Sequence, residues 1–246
     1  MESLKKQSCP YKLIGISNEE NGRFSSCSAA YNSVINEIDT KYVIYSHQDI
    51  LLERADTLEN FICYLNRIDE DDVLGVAGTL FHKPAVYTNI MHVNNITKEL
   101  IHAGTEQVED MMSCDTLDEC FFGGYTKHFL LHPFNKVLCP SWHLYAVENC
   151  LQTKTRGNSV YVCDVSLIHL SSGQLPSGRF PDIFYKEFSR LCKAYAKRFP
   201  VIRTTCAYAK TNFLGRMEFA HPRLFHIYYS FRHQIGNLLR YLGLQR

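Results

Sequence analysis

The sequence has no run approaching the roughly 20 consecutive apolar residues of a helical membrane span. It has no Cys-x-x-Cys pair; the nearest cysteines are Cys114 and Cys120. The ligand spacing of a structural zinc site is therefore absent. No Gly-rich phosphate loop opens a helix, which disfavours a nucleotidyltransferase-like enzyme. Lys and Arg total 26 against 25 Asp and Glu, a formal net charge of +1. That balance excludes a general nucleic-acid binder. There is one tryptophan, Trp142, and no internal repeat or low-complexity segment. No signal peptide opens the sequence, so the ten cysteines are expected as reduced thiols in a cytosol. Cys63, Cys150 and Cys163 lie in apolar runs and read as small core residues. Asn95-Ile96-Thr97 fits a glycosylation acceptor, but nothing else suggests secretion.

What is present suits a globular α/β chain. Its 246 residues, 46% hydrophobic and 21% charged, make one large domain or two small ones with a full core. Tyr42-Val43-Ile44-Tyr45 is a β-rich run without polar alternation, which reads as a strand buried on both faces. His47, Gln48 and Asp49 follow at its carboxyl end, where ligands sit in open α/β sheets. A carboxylate there can hold a divalent cation that bridges phosphate oxygens. The bland alternative is a polar turn at a strand end.

Either side of this stretch, Tyr11–Ser17 reads as a strand and Ser28–Ile38 as a helix. Thr57–Arg67 spaces Leu58, Phe61, Ile62 and Leu65 as one helical face. Val73–Gly78 reads as a buried strand, and Asp69–Asp72 as a solvated turn. Phe81–Asp110 has no clear period and reads as loops and short strands; His82, His92 and His102 are isolated there. Cys114–Gly124 reads as a strand carrying Asp118 and Glu119. Trp142–Gln152 opens a helix, and Ser159–Val165 with Ile168 forms a last strand into His169. Phe184–Phe199 is a basic helix. Residues 201–246 then form a basic amphipathic helical extension to a 1–200 domain, aromatic and Arg-bearing over Leu224–Leu244. Such a tail can lie on an anionic membrane surface or pack back on the domain.

Five motifs follow one another in a telling order: Ser28-Ala29-Ala30-Tyr31-Asn32-Ser33-Val34-Ile35-Asn36, His47-Gln48-Asp49, Leu117-Asp118-Glu119-Cys120-Phe121-Phe122-Gly123, Trp142-His143-Leu144-Tyr145-Ala146-Val147-Glu148 and Ile168-His169-Leu170-Ser171-Ser172-Gly173. Over roughly residues 8–190 the order resembles the family-2-like glycosyltransferases of GT-A fold. The closer likeness is to a bacterial subgroup linked to capsule and surface polysaccharide, in which His-Gln-Asp stands where most relatives carry Asp-x-Asp. The resemblance implies an α/β fold with a mixed, mostly parallel sheet flanked by helices, apparently without the first βα unit. It implies transfer of a hexose-type sugar, with inversion, from a nucleotide-sugar donor to a glycan or lipid-linked acceptor. The setting would be cytoplasmic, possible membrane contact being peripheral and made by the C-terminal extension.

Glycosyl transfer needs the leaving diphosphate neutralised, the acceptor hydroxyl deprotonated and water excluded. Asp49 is the first candidate metal ligand, His169 the second by resemblance and His47 the third. Imidazole favours Mn²⁺ over Mg²⁺. Asn32, His47, Gln48, Asp49 and Trp142 are the candidate donor-site residues, Trp142 offering an apolar face to a sugar ring. Many relatives carry Glu-Asp where this chain has Tyr145 and Ala146, so the base is sought in His143, with Asp118 and Glu119 as alternatives. Imidazole titrates near 6.5 and serves as a base near neutral pH. The lost Glu-Asp pair also suits a rival reading, a non-catalytic nucleotide-sugar or glycan binder derived from a transferase.

Overall fold

A computed structural model of the chain describes residues 2–18, 22–94, 97–170 and 180–221. The Leu224–Leu244 segment, residues Ser171–Gly173 of the last motif, and Asn95 and Ile96 lie outside the described residues.

After a 3₁₀ turn (Leu4–Lys6), residues 10–18 run on without a ladder. A strand was expected over Tyr11–Ser17. The alternation is there, with Ile14 and Ile16 half-buried and Tyr11 and Leu13 exposed. No neighbouring strand among the described residues supplies its hydrogen bonds, and a strand is defined by that pairing. Helix α1 (Cys27–Val34) starts where the Ser26 hydroxyl accepts the Ala29 N–H at 3.1 Å. Strand β1 (Tyr42–Ser46), the His47–Asp49 turn and β2 (Ile50–Leu51) follow. Helix α2 (Thr57–Leu65) buries Leu58, Phe61 and Leu65, as its spacing dictates; Cys63, read as a core residue, faces outward.

Val73–Gly78 is two strands, β3 (Val73–Gly75) and β4 (Ala77–Thr79), in different sheets. The His-rich stretch forms β5 (Val86–Thr88), β6 (Ile90–Val93) and β7 (Leu100–His102). Then come β8 (Met111–Ser113), β9 (Thr116–Leu117), β10 (Phe121–Tyr125) and α3 (Thr126–Leu131). Asp118 and Glu119 thus occupy the turn between β9 and β10, not a strand. Helix α4 (Tyr145–Thr155) begins three residues later than the expected start, leaving Trp142 and His143 in the preceding loop. The expected last strand is also two, β11 (Val160–Cys163) and β12 (Leu167–His169), which belong to separate sheets.

Helix α5 (Asp182–Tyr195) buries Phe184, Phe188 and Leu191. An all-helical extension was expected beyond residue 200. Instead β13 (Val201–Arg203) and β14 (Tyr208–Lys210) form a hairpin before α6 (Phe213–Ala220). Ile202 and Ala209 of that hairpin are buried in the same core as β1 and α4.

The main sheet has the order β1-β10-β3-β11-β8, and a second sheet has the order β2-β12-β6-β7. A mostly parallel arrangement was expected, but among the described strands only β3/β11 and β6/β12 pair in parallel. Strand β10 arrives through the Asp118–Cys120 turn and inserts antiparallel between β1 and β3. Its close approach to β1 requires Gly123, where a Cβ would meet the Val43 carbonyl oxygen at 2.2 Å. The main sheet separates two cores by strict alternation. Val43, Val73, Phe122 and Val162 face one, with α4 and α5; Leu74, Phe121 and Cys163 face the other, with α2. Strand β1 is fully buried on the first face and half-buried on the second, where Tyr42 and Ile44 lie.

Candidate active site

The site forms where the chain twice passes from the main sheet to the second one. The first passage is the His47–Asp49 turn between β1 and β2; the second joins β11 to β12. Because β2 and β12 pair antiparallel with His169 opposite Ile50, residues 120 apart in sequence become neighbours. The Leu170 N–H donates to the Asp49 carbonyl oxygen at 2.9 Å, and His169 Nε2 lies 3.1 Å from Asp49 Oδ2. The His47 N–H donates to the Cys120 carbonyl oxygen at 2.9 Å, tying this turn to the Asp118–Cys120 turn.

One ligand atom each from His47, Asp49 and His169 fall within 4.8 Å of one another. The side chains are half-buried, with His169 15% and Asp49 35% exposed, so substrate can reach them. Two imidazoles and one carboxylate make a mixed nitrogen and oxygen donor set. That set fits a first-row divalent cation such as Mn²⁺ better than Mg²⁺. Three protein ligands also leave coordination positions for phosphate oxygens. Gln48, between His47 and Asp49, is exposed on the turn. His92, opposite His169 in the β6/β12 register, stacks edge-on against it with ring centroids 5.2 Å apart.

The loop before α4 forms another wall. Trp142 is 43% exposed, and His143 packs edge-on against Phe180 and Phe184. Burial, with the nearby His47, holds the His143 imidazole below its ordinary pKa. Leu144 then adopts a left-handed conformation, φ 65°, which is a genuine outlier for a branched, buried side chain. The Ser141 hydroxyl donates to Glu187 Oε2 at 2.5 Å, anchoring this loop to α5.

The two acidic candidates have different environments. Both oxygens of Asp118 are engaged: Oδ1 accepts the Cys120 N–H at 3.0 Å and Oδ2 the Thr205 hydroxyl at 2.5 Å. Desolvation, aided by the Asp118 charge, pushes the Glu119 carboxyl well above the usual range, although the backbone N–H groups of Leu144 and Tyr145 oppose this. A raised carboxyl pKa makes Glu119 a stronger proton acceptor than an ordinary carboxylate once it is ionised. Asn32 is committed elsewhere: its amide donates to the Phe134 carbonyl at 2.8 Å and accepts the Phe134 N–H at 3.0 Å. Glu148 is buried and accepts the Tyr195 hydroxyl at 2.8 Å.

Sequence reading missed Tyr145 and Thr205. The Tyr145 hydroxyl lies 3.1 Å from His47 Nε2. Its signal was positional, since it stands where relatives carry an acidic pair. Thr205 had no local signal, because it reaches Asp118 only through the β13–β14 hairpin.

The mixed sheets flanked by helices are those of a GT-A-like glycosyltransferase fold, and comparison of structures supports that class. A crystal structure of GalNAc-T7 with UDP, GalNAc and Mn²⁺ is similar at a TM-score of 0.52, with 11% identity, over 70% of this chain and 35% of that one. This chain therefore spans about a third of that protein's length, and the likeness concerns the fold. Comparison with curated proteins finds no match. The profile of the "Glycosyltransferase like family" matches residues 6–174. The chain belongs to that family. Among the described residues, no helix is long and apolar enough to cross a membrane.

Proposed function

We infer that the chain transfers a hexose-type sugar from a nucleotide-sugar donor to a glycan or lipid-linked acceptor, with inversion, at a cation held by Asp49, His169 and His47. The observation that carries the reading is the convergence of those three donor atoms within 4.8 Å at strand ends of a GT-A-like frame. Asp49, His169 and His47 would hold a divalent cation, which would supply the charge that neutralises a leaving diphosphate. Trp142 offers its exposed ring to a sugar face. His143, held neutral by burial, accepts the acceptor hydroxyl proton. Asp118, with both oxygens already engaged, orders the β9–β10 turn, and Glu119 lies beside it with its carboxyl pKa raised by burial. Inversion and a role in surface polysaccharide rest on family resemblance. The ten free thiols suit a reducing compartment such as the cytoplasm.

The reading is tested by incubating the full chain with Mn²⁺ and a panel of UDP- and GDP-hexoses, with and without oligosaccharide acceptors. Chelator-sensitive release of nucleoside diphosphate, lost in Asp49→Asn, is the expected result. Tight Mn²⁺-dependent diphosphate binding without turnover would instead favour the non-catalytic binder, for which Tyr145 and Ala146 in place of an acidic pair already argue.

A further inference from the structure

We propose that Tyr145 is the positioning residue that commits His47 to bind its cation through Nδ1. The inference rests on the metal site described above and on a count of protons. A phenol carries one O–H proton, and a neutral imidazole one N–H. The Tyr145 oxygen has two polar neighbours bearing on that count. His47 Nε2 is at 3.1 Å, and the Glu119 carbonyl oxygen is at 3.5 Å. A carbonyl can only accept, so the Tyr145 proton points to Glu119. The Cys27 thiol and the Tyr31 hydroxyl also lie within reach; sulfur is a weak acceptor and a hydroxyl can donate as well as accept, so among these neighbours only the Glu119 carbonyl requires the phenol proton. Both contacts are satisfied together when the Tyr145 oxygen accepts from His47, which places the imidazole proton on Nε2. That leaves the Nδ1 lone pair for a cation. The order is Nδ1 to cation, Nε2–H to the Tyr145 hydroxyl, and that hydroxyl to the Glu119 carbonyl. It has the form by which metal-binding histidines are usually held, one nitrogen ligating and the other donating.

The surroundings hold Tyr145 in place. It is 1% exposed, and its ring packs against Tyr31, Phe122 and Phe134, with centroids 5.5, 6.1 and 5.9 Å away. It is the first residue of α4, directly after the left-handed Leu144. A bulky residue held at positive φ is strained and persists only where the surroundings over-determine it. Here the strained junction is also where backbone N–H groups meet the Glu119 carboxyl. One turn thus fixes the hydroxyl against His47 and the Glu119 segment together.

The test is Mn²⁺ affinity of the full chain by calorimetry, for the wild type and Tyr145→Phe. The variant keeps the packed ring and loses only the hydroxyl. Affinity should fall by roughly 10–100-fold, the usual loss for such an outer partner. In a His47→Ala background, Tyr145→Phe should change nothing further. If the cation used Nε2, the hydroxyl would compete with it, and Tyr145→Phe would bind Mn²⁺ equally or more tightly. That result overturns this inference and leaves the metal site standing. Absence of Mn²⁺ binding by the wild type overturns both. Nitrogen-15 spectra of the metal-free wild type give a check independent of any variant. His47 should show the Nε2–H tautomer, and the Nδ1–H tautomer would refute the assignment.

Discussion

Acidification should destabilise this fold through His128, and replacing that residue should remove a defined part of the loss. His128 lies on α3, fully buried, and among the described residues neither ring nitrogen has a partner at hydrogen-bond distance, although the Asn149 side chain is near enough to favour the charged form. Burial, reinforced by the nearby Arg156 and His132, lowers its pKa from 6.5 to about 4. The folded state therefore binds the proton more weakly than the unfolded chain does. Stability from the neutral imidazole is fully present above about pH 6.5 and is lost as pH falls towards about 4. A fall of this size is worth about 3 kcal/mol at most, using 1.36 kcal/mol per decade of proton affinity. Between about pH 7 and about pH 5, linkage gives roughly 2 kcal/mol of it. Burial pushes the Glu148 and Glu187 carboxyls upward, so their protonation opposes this loss. The comparison must therefore be between wild type and variant at each pH. Urea unfolding of the wild type and His128→Gln at the two pH values isolates the His128 contribution. The wild type should lose roughly 2 kcal/mol more than the variant. Equal losses would show that His128 is protonated in the folded state without penalty.

Three further outcomes follow from the site and its frame. His143→Ala should lower kcat by roughly 10²–10⁴-fold with donor affinity nearly unchanged, as loss of a general base does; its depressed pKa places the acid limb of the wild-type rate profile below the ordinary imidazole value, and the variant should lack that limb. Asp118→Asn is the companion, and abolished turnover there with near wild-type turnover in His143→Ala would move the base to Asp118. Gly123→Ala should destabilise by about 1–3 kcal/mol or more, the range for overpacking, since its Cβ meets the Val43 backbone of β1; a thermal melt reads this directly.

The elements were legible where one local pattern decided them. The α2 face and the β1 run could be read from side-chain spacing, because periodicity is set by the residues themselves. Strand partners could not be read this way. The break at Val76 lies inside an apolar stretch that looks continuous, and those at Asp118–Cys120 and between β11 and β12 are short polar interruptions with β-rich residues on both sides, because both halves are buried in adjoining sheets. Tyr11–Ser17 shows the converse, a strand-like pattern that joins no sheet among the described residues. His47 and Asp49 could be picked out as metal-binding residue types at a strand end and His169 by family resemblance, and the fold brings these three candidates together. Thr205 and Tyr145 became visible only in three dimensions, because their roles depend on contacts 87 and 98 residues away. Asn32 illustrates the limit of motif reading: its amide is spent on the Phe134 backbone.

The central claim is a cation site built by Asp49, His169 and His47 that receives the donor diphosphate. Calorimetric titration of UDP and GDP into the wild type and Asp49→Asn, each with Mn²⁺ and with chelator, tests it most directly. The account predicts diphosphate binding that depends on Mn²⁺ in the wild type and is largely lost in the variant, with the melting temperature of the fold preserved. Unchanged Mn²⁺-dependent binding in Asp49→Asn would contradict it.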